Sequence, residues 1–345
     1  MKIQVNARNR AYAFDATEGE KILYAGLSDA IGLPYECASG TCGTCKARLV
    51  SGEVVDGWPE APGRKYLKGD DEFLMCQCSA KTDASIEVAS FVQPIAAGVS
   101  IPAALKGIIS TTRQLTPDVI HLQVKLSQTV EFDAGQFMMV QVPGVPGFRG
   151  WSMVNHQRGA DNLEFIVKKK PGGGISEWLF GKDCAGVEVE LFGPLGQATF
   201  YPGLLKNILC IAGGSGIAGM LSILSRAAQN DYFKHHKGNV FFGVHTLKDA
   251  FFLDEFSRFR QQCGDNLNVT IALSKEAPPD SVLNDYPQLK FDTGYVHDIA
   301  GRHMQGNYQN VRAYLAGPPP MVDATIRMLL QARLTSDNIC YDKFS

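Results

Sequence analysis

The 345-residue sequence contains no apolar run of about 18 residues, so no membrane-spanning helix is expected. It has no excess of positive charge either. Its 33 lysines and arginines face 35 aspartates and glutamates, a net charge of −2, which argues against general nucleic-acid binding. Met1-Lys2-Ile3-Gln4-Val5 starts a strand-like alternation, so no secretion signal is expected. The cysteine count, nine, is odd and fits a disulfide framework poorly. There is no internal repeat and no low-complexity tract. The histidines (His121, His156, His235, His236, His245, His297 and His303) show no metal-ligand spacing. With 45% hydrophobic and 20% charged residues, the composition is that of a globular protein, long enough for two or three domains. Free thiols point to a reducing cytoplasm.

The cysteines carry the strongest signal. Cys37-Ala38-Ser39-Gly40-Thr41-Cys42-Gly43-Thr44-Cys45 is a C-x4-C-x2-C run, and Cys76 follows at a distance. Three thiolates in one loop with a remote fourth is the plant-type [2Fe–2S] spacing. Small residues between the ligands let the backbone wrap closely and turn N–H groups inward. Zinc ligands come instead as two short pairs. Cys78, two residues past Cys76, would point the same way on a strand, so spacing alone leaves it as a competing ligand.

Three segments are legible. Residues 1–92 read as a small β-rich domain with strands at Lys2–Val5, Tyr12–Phe14, Ala47–Val50 and Ser85–Val88 and a helix over Lys21–Ala30. Residues 93–102, punctuated by proline, glycine and serine, read as a linker. Residues 103–202 carry strands near Leu105–Ile109, Val119–Lys125, Gln136–Val142, Arg149–Asn155 and Leu163–Lys169 with one helix near Ser176, the pattern of a small antiparallel barrel. Residues 203–345 alternate strands (Asn207–Ala212, Asn239–Val244, Asn268–Leu273, Ala313–Ala316, Asn338–Tyr341) with helices (Ile217–Gln229, Asp249–Gln261, Met321–Ala332), the pattern of a parallel sheet with crossover helices.

Two loops in the last segment suit a nucleotide. Gly213-Gly214-Ser215-Gly216 lies between a strand and a helix start, where a pyrophosphate can approach the backbone, although the spacing is not G-x-G-x-x-G. Gly317-Pro318-Pro319 follows a later strand and sets a rigid rim at its C-terminal end. In the middle segment, Arg149-Gly150-Trp151-Ser152 offers a guanidinium, an aromatic plane and a hydroxyl. Gly172-Gly173-Gly174-Ile175-Ser176 reads as a glycine loop capped by Ser176 at a helix start. Taken singly, each has a plainer reading as a packed turn, a surface arginine, a core tryptophan or a flexible loop.

Together these motifs resemble the ferredoxin–NADP⁺ reductase superfamily. Arg149 to Ser152 is similar to its R-x-Y-S flavin motif. Gly173, Gly174, Ile175 and Ser176 are similar to its flavin-pyrophosphate loop. Gly213–Gly216 and Gly317-Pro318-Pro319 are similar to its two nicotinamide-nucleotide loops. Preceded by a plant-type ferredoxin segment, the order resembles the reductase components of bacterial multicomponent oxygenases. Trp58-Pro59-Glu60-Ala61-Pro62-Gly63 and Ile339–Phe344 look most like the toluene-type di-iron monooxygenase reductases. Leu74-Met75-Cys76-Gln77 resembles the fourth-ligand segment of such ferredoxins and favours Cys76 over Cys78. Three departures stand out. Trp151 replaces a tyrosine, Ala316 replaces the cysteine that precedes Gly-Pro-Pro, and Ala218-Gly219 replaces Ala-Pro.

The resemblance implies a multidomain α+β and α/β protein: a β-grasp-like ferredoxin, an antiparallel β-barrel flavin domain and a parallel-sheet nucleotide domain. It implies three cofactors, NADH, FAD and a [2Fe–2S] cluster held by Cys37, Cys42, Cys45 and Cys76. Electrons would pass to an oxygenase or an intermediary ferredoxin through the ferredoxin part of a monomer. The favoured acceptor is a di-iron aromatic or alkene monooxygenase, with Rieske dioxygenases and haem monooxygenases as others. Arg149 would hold flavin phosphate, Ser152 would bond near the hydride-accepting nitrogen, and Trp151 and Phe344 would cover the ring faces. Two other functions compete. A stand-alone quinone or dye oxidoreductase needs no ferredoxin segment, and a redox-sensing module needs no nucleotide rim. NADH over NADPH turns on whether Lys248 and Lys275 or Asp249 and Glu276 meet the ribose.

Overall fold

The computed structural model describes residues 1–343, so Phe344 lies outside the described residues. The N-terminal sheet has five strands in the order Ala11–Asp15, Lys2–Ala7, Ala84–Val88, Lys46–Ser51, Glu72–Leu74. Lys2–Ala7 pairs antiparallel with Ala11–Asp15 and parallel with Ala84–Val88, so the sheet is mixed. Period-2 alternation decides its inner face: Ala84, Ile86 and Val88 are buried while Ser85 and Glu87 are not. The helix Ile22–Ser28 buries Ile22, Leu23, Tyr24, Ala25, Gly26 and Leu27, which is why its apolar stripe is so wide.

The middle of the chain forms a six-stranded sheet in the order Arg149–Ser152, Phe137–Gln141, Glu188–Leu195, Ala103–Thr116, Val119–Val130, Ala160–Lys168. Val119–Val130 and Ala160–Lys168 pair antiparallel, with Val119 opposite Lys168 and an irregularity between Lys125 and Val130. Glu188–Leu195 was not expected as a strand, because Gly193-Pro194 interrupts its apolar run.

The last sheet is parallel, in the order Lys290–Thr293, Leu267–Leu273, Gly238–Val244, Asn207–Gly213, Val311–Gly317, Ile339–Lys343. Its strands are near-continuous apolar runs because both faces are covered. One face packs on Phe256, Ile223 and Leu224, the other on Ile299, Val322 and Leu329. Helix Ile217–Gln229 has the expected bounds. Strand Lys290–Thr293 and helices Asp280–Asp285 and Val296–His303 were missed, each being short and rich in polar residues. The first strand to form in sequence, Asn207–Gly213, lies between Gly238–Val244 and Val311–Gly317. The strand order reverses there, so the crevice at the C-terminal ends of Asn207–Gly213 and Val311–Gly317 is where such sheets take ligands.

The described residues gather into two compact units. One comprises Met1–Gly107, Met138–Gly150 and Glu188–Leu195; the other comprises Ile108–Phe137, Trp151–Val187 and the residues from Gly196 onward.

Candidate functional site

In the first unit the four cysteines fall into two pairs. Cys45 Sγ and Cys76 Sγ lie 3.1 Å apart, and the Cys37 and Cys42 thiols are near enough to shift each other's titration in opposite directions. The Cys42 thiol holds the Cys37 thiol below its usual range. The amides of Ser39 and Thr41 donate to Cys37 Sγ at 3.4 Å, and Thr44 N–H donates to Cys42 Sγ at 3.5 Å. Gln77 Nε2 donates to Cys76 Sγ at 3.4 Å. Among the described residues, no three His, Cys, Asp or Glu side chains converge on a single ion position. Two pairs of thiols ringed by N–H donors suit a two-iron cluster with two thiolates per iron, and not one zinc ion.

Cys45 and Cys76 are 1% exposed and Cys37 8%, whereas Cys42 is only half-buried. Thr41, Cys42 and the exposed Thr44 therefore form the outward edge of the loop. Cys78 sits opposite Asp56 on the strand pair Val54–Asp56 and Cys78–Ala80. Burial pushes its thiol up to about 12.

The segment Trp58–Tyr66 crosses this loop. Gly63 N–H donates to Gly40 O at 2.8 Å, and a side chain at Gly43 would strike the Tyr66 ring. Arg149 lies over the Trp58 indole, 5.0 Å from its centroid, and Nη1 donates to Phe148 O at 2.9 Å. The guanidinium is half-buried, burial lowers its pKa, and among the described residues no carboxylate forms a salt bridge with it. A desolvated cation without a counter-charge is a fitting seat for a phosphate.

In the second unit, Trp151 is buried and tilted at 60° to Phe165, with centroids 5.7 Å apart. Ser152 is buried beside Gly219, where an added Cβ would lie 3.8 Å from Ser152 Cβ. Ser176 does not cap the short helix Gly174–Phe180. The N-cap is Gly173, and Ser176 Oγ is turned back on its own loop, accepting from Lys170 N–H at 3.0 Å. Glycine has no side chain to cap with, so the first-turn amides of Gly174, Ile175 and Ser176 are left to an outside acceptor.

At the switch point, a cavity of about 560 Å³ is lined by Gly213, Gly214, Ser215, Gly216, Gly317 and Pro318. The two loops approach so closely that a Cβ at Gly216 would lie 2.5 Å from Ala316 O. Pro319 begins the helix Pro319–Gln331, and Pro320 and Met321 line the cavity in its stead. Asp118, Lys168, Tyr295 and His297, which no local pattern singles out, also line it, as do His245 and Ser274 just past the strands Gly238–Val244 and Leu267–Leu273. Asp249 lines the cavity and its Oδ2 accepts from Thr246 N–H and Oγ1 at 2.9 and 2.8 Å, while Lys248 and Lys275 are not among the lining residues.

Three family models match the chain: a 2Fe-2S iron-sulfur cluster binding domain over residues 5–81, an oxidoreductase FAD-binding domain over 106–200 and an oxidoreductase NAD-binding domain over 210–327. The ferredoxin–NAD(P)(+) reductase CarAd of Metapseudomonas resinovorans is 35% identical over 94% of this chain and 95% of its own. The ferredoxin–NAD(+) reductase component of the alkene monooxygenase system of Xanthobacter autotrophicus is 32% identical over 97% of this chain and 99% of its own. The reductase component DmpP of phenol 2-monooxygenase from a Pseudomonas species is 29% identical over 100% and 95%. Among solved structures, the ferredoxin reductase in carbazole 1,9a-dioxygenase superposes with a TM-score of 0.83 at 32% identity, covering 100% of this chain and 99% of that one.

Proposed function

We propose, from the premise that this chain belongs to the ferredoxin–NAD(P)(+) reductase components of multicomponent oxygenases, that it carries electrons from NADH through FAD and a [2Fe–2S] cluster to an oxygenase component. The two-by-two grouping of the thiols carries the reading, in a chain whose parallel sheet opens a nucleotide-sized crevice at its switch point. When bound, the flavin takes two electrons as hydride and releases them singly to a one-electron cluster.

The residues supply binding and orientation. Cys37, Cys42, Cys45 and Cys76 would hold the cluster, with the Ser39 and Thr41 amides donating to Cys37 Sγ and the Thr44 amide to Cys42 Sγ. Arg149 would hold a flavin phosphate, and the first-turn amides of Gly174, Ile175 and Ser176 would donate to an anionic group. Trp151 packs inside the barrel, and its indole walls the flavin site from the core side. Ser152, beside the helix that follows Gly213–Gly216, bonds near the flavin's reacting edge. The crevice would take the nicotinamide nucleotide, with Gly317 and Pro318 as its rim. Asp249 opposes a 2′-phosphate there, which supports NADH.

Electrons leave at the Thr41–Cys42–Thr44 edge, which presents the half-buried ligand to the partner. The acceptor is a di-iron monooxygenase, as the phenol, alkene, xylene/toluene and propane monooxygenase relatives suggest. Residues 1–92 carry 13 acidic and 10 basic side chains, a net charge of −3, so docking is transient and only moderately salt-dependent. The nine cysteines are all free, which supports a reducing cytoplasm. No helix among the described residues is long and apolar enough to cross a membrane.

Anaerobic titration of the loaded protein with NADH tests the reading. The flavin absorbance should bleach and a rhombic cluster signal should grow in electron paramagnetic resonance, to a total of about three electrons per chain. A flavin that bleaches while the cluster stays oxidised would sink it.

A further inference from the structure

Arg149 is the flavin-phosphate residue of the reading above, yet what fixes its guanidinium comes from the iron–sulfur end of the chain. Its central carbon lies over the Trp58 indole, 5.0 Å from the ring centroid. Trp58 is itself anchored beside the cluster loop: its N–H donates to Asp56 Oδ1 at 2.9 Å, Asp56 pairs with Arg64, and the Trp58 carbonyl accepts from Ala61 N–H at 3.0 Å. Among the described residues, the guanidinium's one backbone acceptor is Phe148 O. The Phe148 ring is met edge-on by Tyr24, at 5.6 Å and 84°. Tyr24 stacks flat on Phe192, at 4.1 Å and 6°, and its hydroxyl donates to Ala38 O of the cluster loop at 3.1 Å. All of these residues belong to the first compact unit.

We propose that Trp58 is a positioning residue for flavin binding: by stacking on Arg149 it aims the guanidinium, so that FAD affinity depends on a side chain of the iron–sulfur segment. The inference rests on the flavin role of Arg149. The geometry allows both bonds at once, because an aromatic face engages the guanidinium from above while its remaining in-plane N–H groups stay open to phosphate oxygens. Without the indole, a half-buried cation with no carboxylate partner would swing toward water and lose its aim.

The test is FAD affinity, not turnover. Full-length protein stripped of flavin, cluster intact, is titrated with FAD and followed by fluorescence quenching. W58L keeps apolar bulk but has no π face, and should weaken FAD by about 3- to 30-fold. W58F keeps a smaller π face and should lose less, about 2- to 5-fold. Both losses should vanish in an R149A background, where there is no guanidinium to aim. E60A, at an exposed position of the same segment, should leave affinity unchanged. If R149A weakens FAD and W58L does not, the inference falls and the flavin role of Arg149 stands. If R149A also leaves affinity unchanged, that role falls with it. A Trp58 loss that persists in R149A means that the indole acts elsewhere and overturns the proposal. Should W58L fail to retain its cluster, the W58F and R149A cycle decides alone by the same criterion.

Discussion

Gly219 and Gly216 stand three residues apart and should respond to alanine in opposite directions. Gly219 is the third residue of the helix Ile217–Gln229, and it is buried. An alanine Cβ there would lie 3.5 Å from Gly135 O, 3.8 Å from Gly135 Cα and 3.8 Å from Ser152 Cβ, which is ordinary van der Waals contact. Nothing need move, so G219A keeps the intrinsic gain of alanine over glycine in a helix, about 1 kcal/mol. Proline, which the family resemblance places here, suits the same position because its fixed φ matches a first helical turn. At Gly216 a Cβ would lie 2.5 Å from Ala316 O, 2.6 Å from Ala316 C and 2.8 Å from Gly317 N. Those are backbone atoms of the neighbouring strand end, and no side-chain rotation relieves them. G216A should cost about 1–3 kcal/mol and part the two loops that line the crevice. Urea unfolding followed by circular dichroism should move the midpoint up for G219A and down for G216A, with the slope unchanged for G219A. By thermal scan, G219A should gain about 2–4 °C. NADH KM should rise for G216A. A destabilised G219A, or a neutral G216A, would refute the steric reasoning.

Other outcomes follow from the same geometry. C76S should abolish the reduced-cluster resonance while flavin reduction by NADH persists, and C78S should keep it; the reverse pattern would reassign the fourth ligand. D249N should raise NADPH use relative to NADH by roughly 5- to 10-fold in kcat/KM, since it removes a like charge from the crevice. An unchanged ratio would place the discrimination elsewhere. His156, buried with Nδ1 3.3 Å from Gln229 Oε1, has its pKa lowered, chiefly by burial. The unfolded chain therefore takes up the proton first, and stability should decline as pH falls from about 6.5 through the lower folded value. H156N should flatten that decline in urea midpoints, and an unchanged slope against pH would exonerate His156. Sedimentation should show a monomer at micromolar concentration, and a stable dimer would contradict the proposed single-chain donor.

What could be read from the sequence was what lies close together along it. The cysteine run, the Gly213–Gly216 turn and the Gly317-Pro318 rim are each one contiguous segment whose chemistry needs no distant partner. The parallel sheet was legible because strands buried on both faces are written as unbroken apolar runs, such as Leu209-Cys210-Ile211. Lys290–Thr293 was not, being short, at the sheet edge and half-polar. Ser176 was misread as a cap because a hydroxyl after glycines suits one, yet its loop satisfies that hydroxyl internally. Most of the crevice lining, and the seating of Arg149 on Trp58, came from residues far apart in sequence, where local pattern carries no information.

The compact unit around the cysteines draws in Met138–Gly150 and Glu188–Leu195 as well as the N-terminal residues. Recombination between related genes would find residues 96–102 the natural seam, since Ile95 is still tied to Ala30 by a backbone hydrogen bond and the next few residues are mostly exposed. A chimera joined there would inherit Tyr24 and Trp58 from one parent and Phe148, Arg149 and Phe192 from the other. Exchange of the iron–sulfur segment would then succeed only between parents that agree on these five side chains, and the two halves would have to be inherited together.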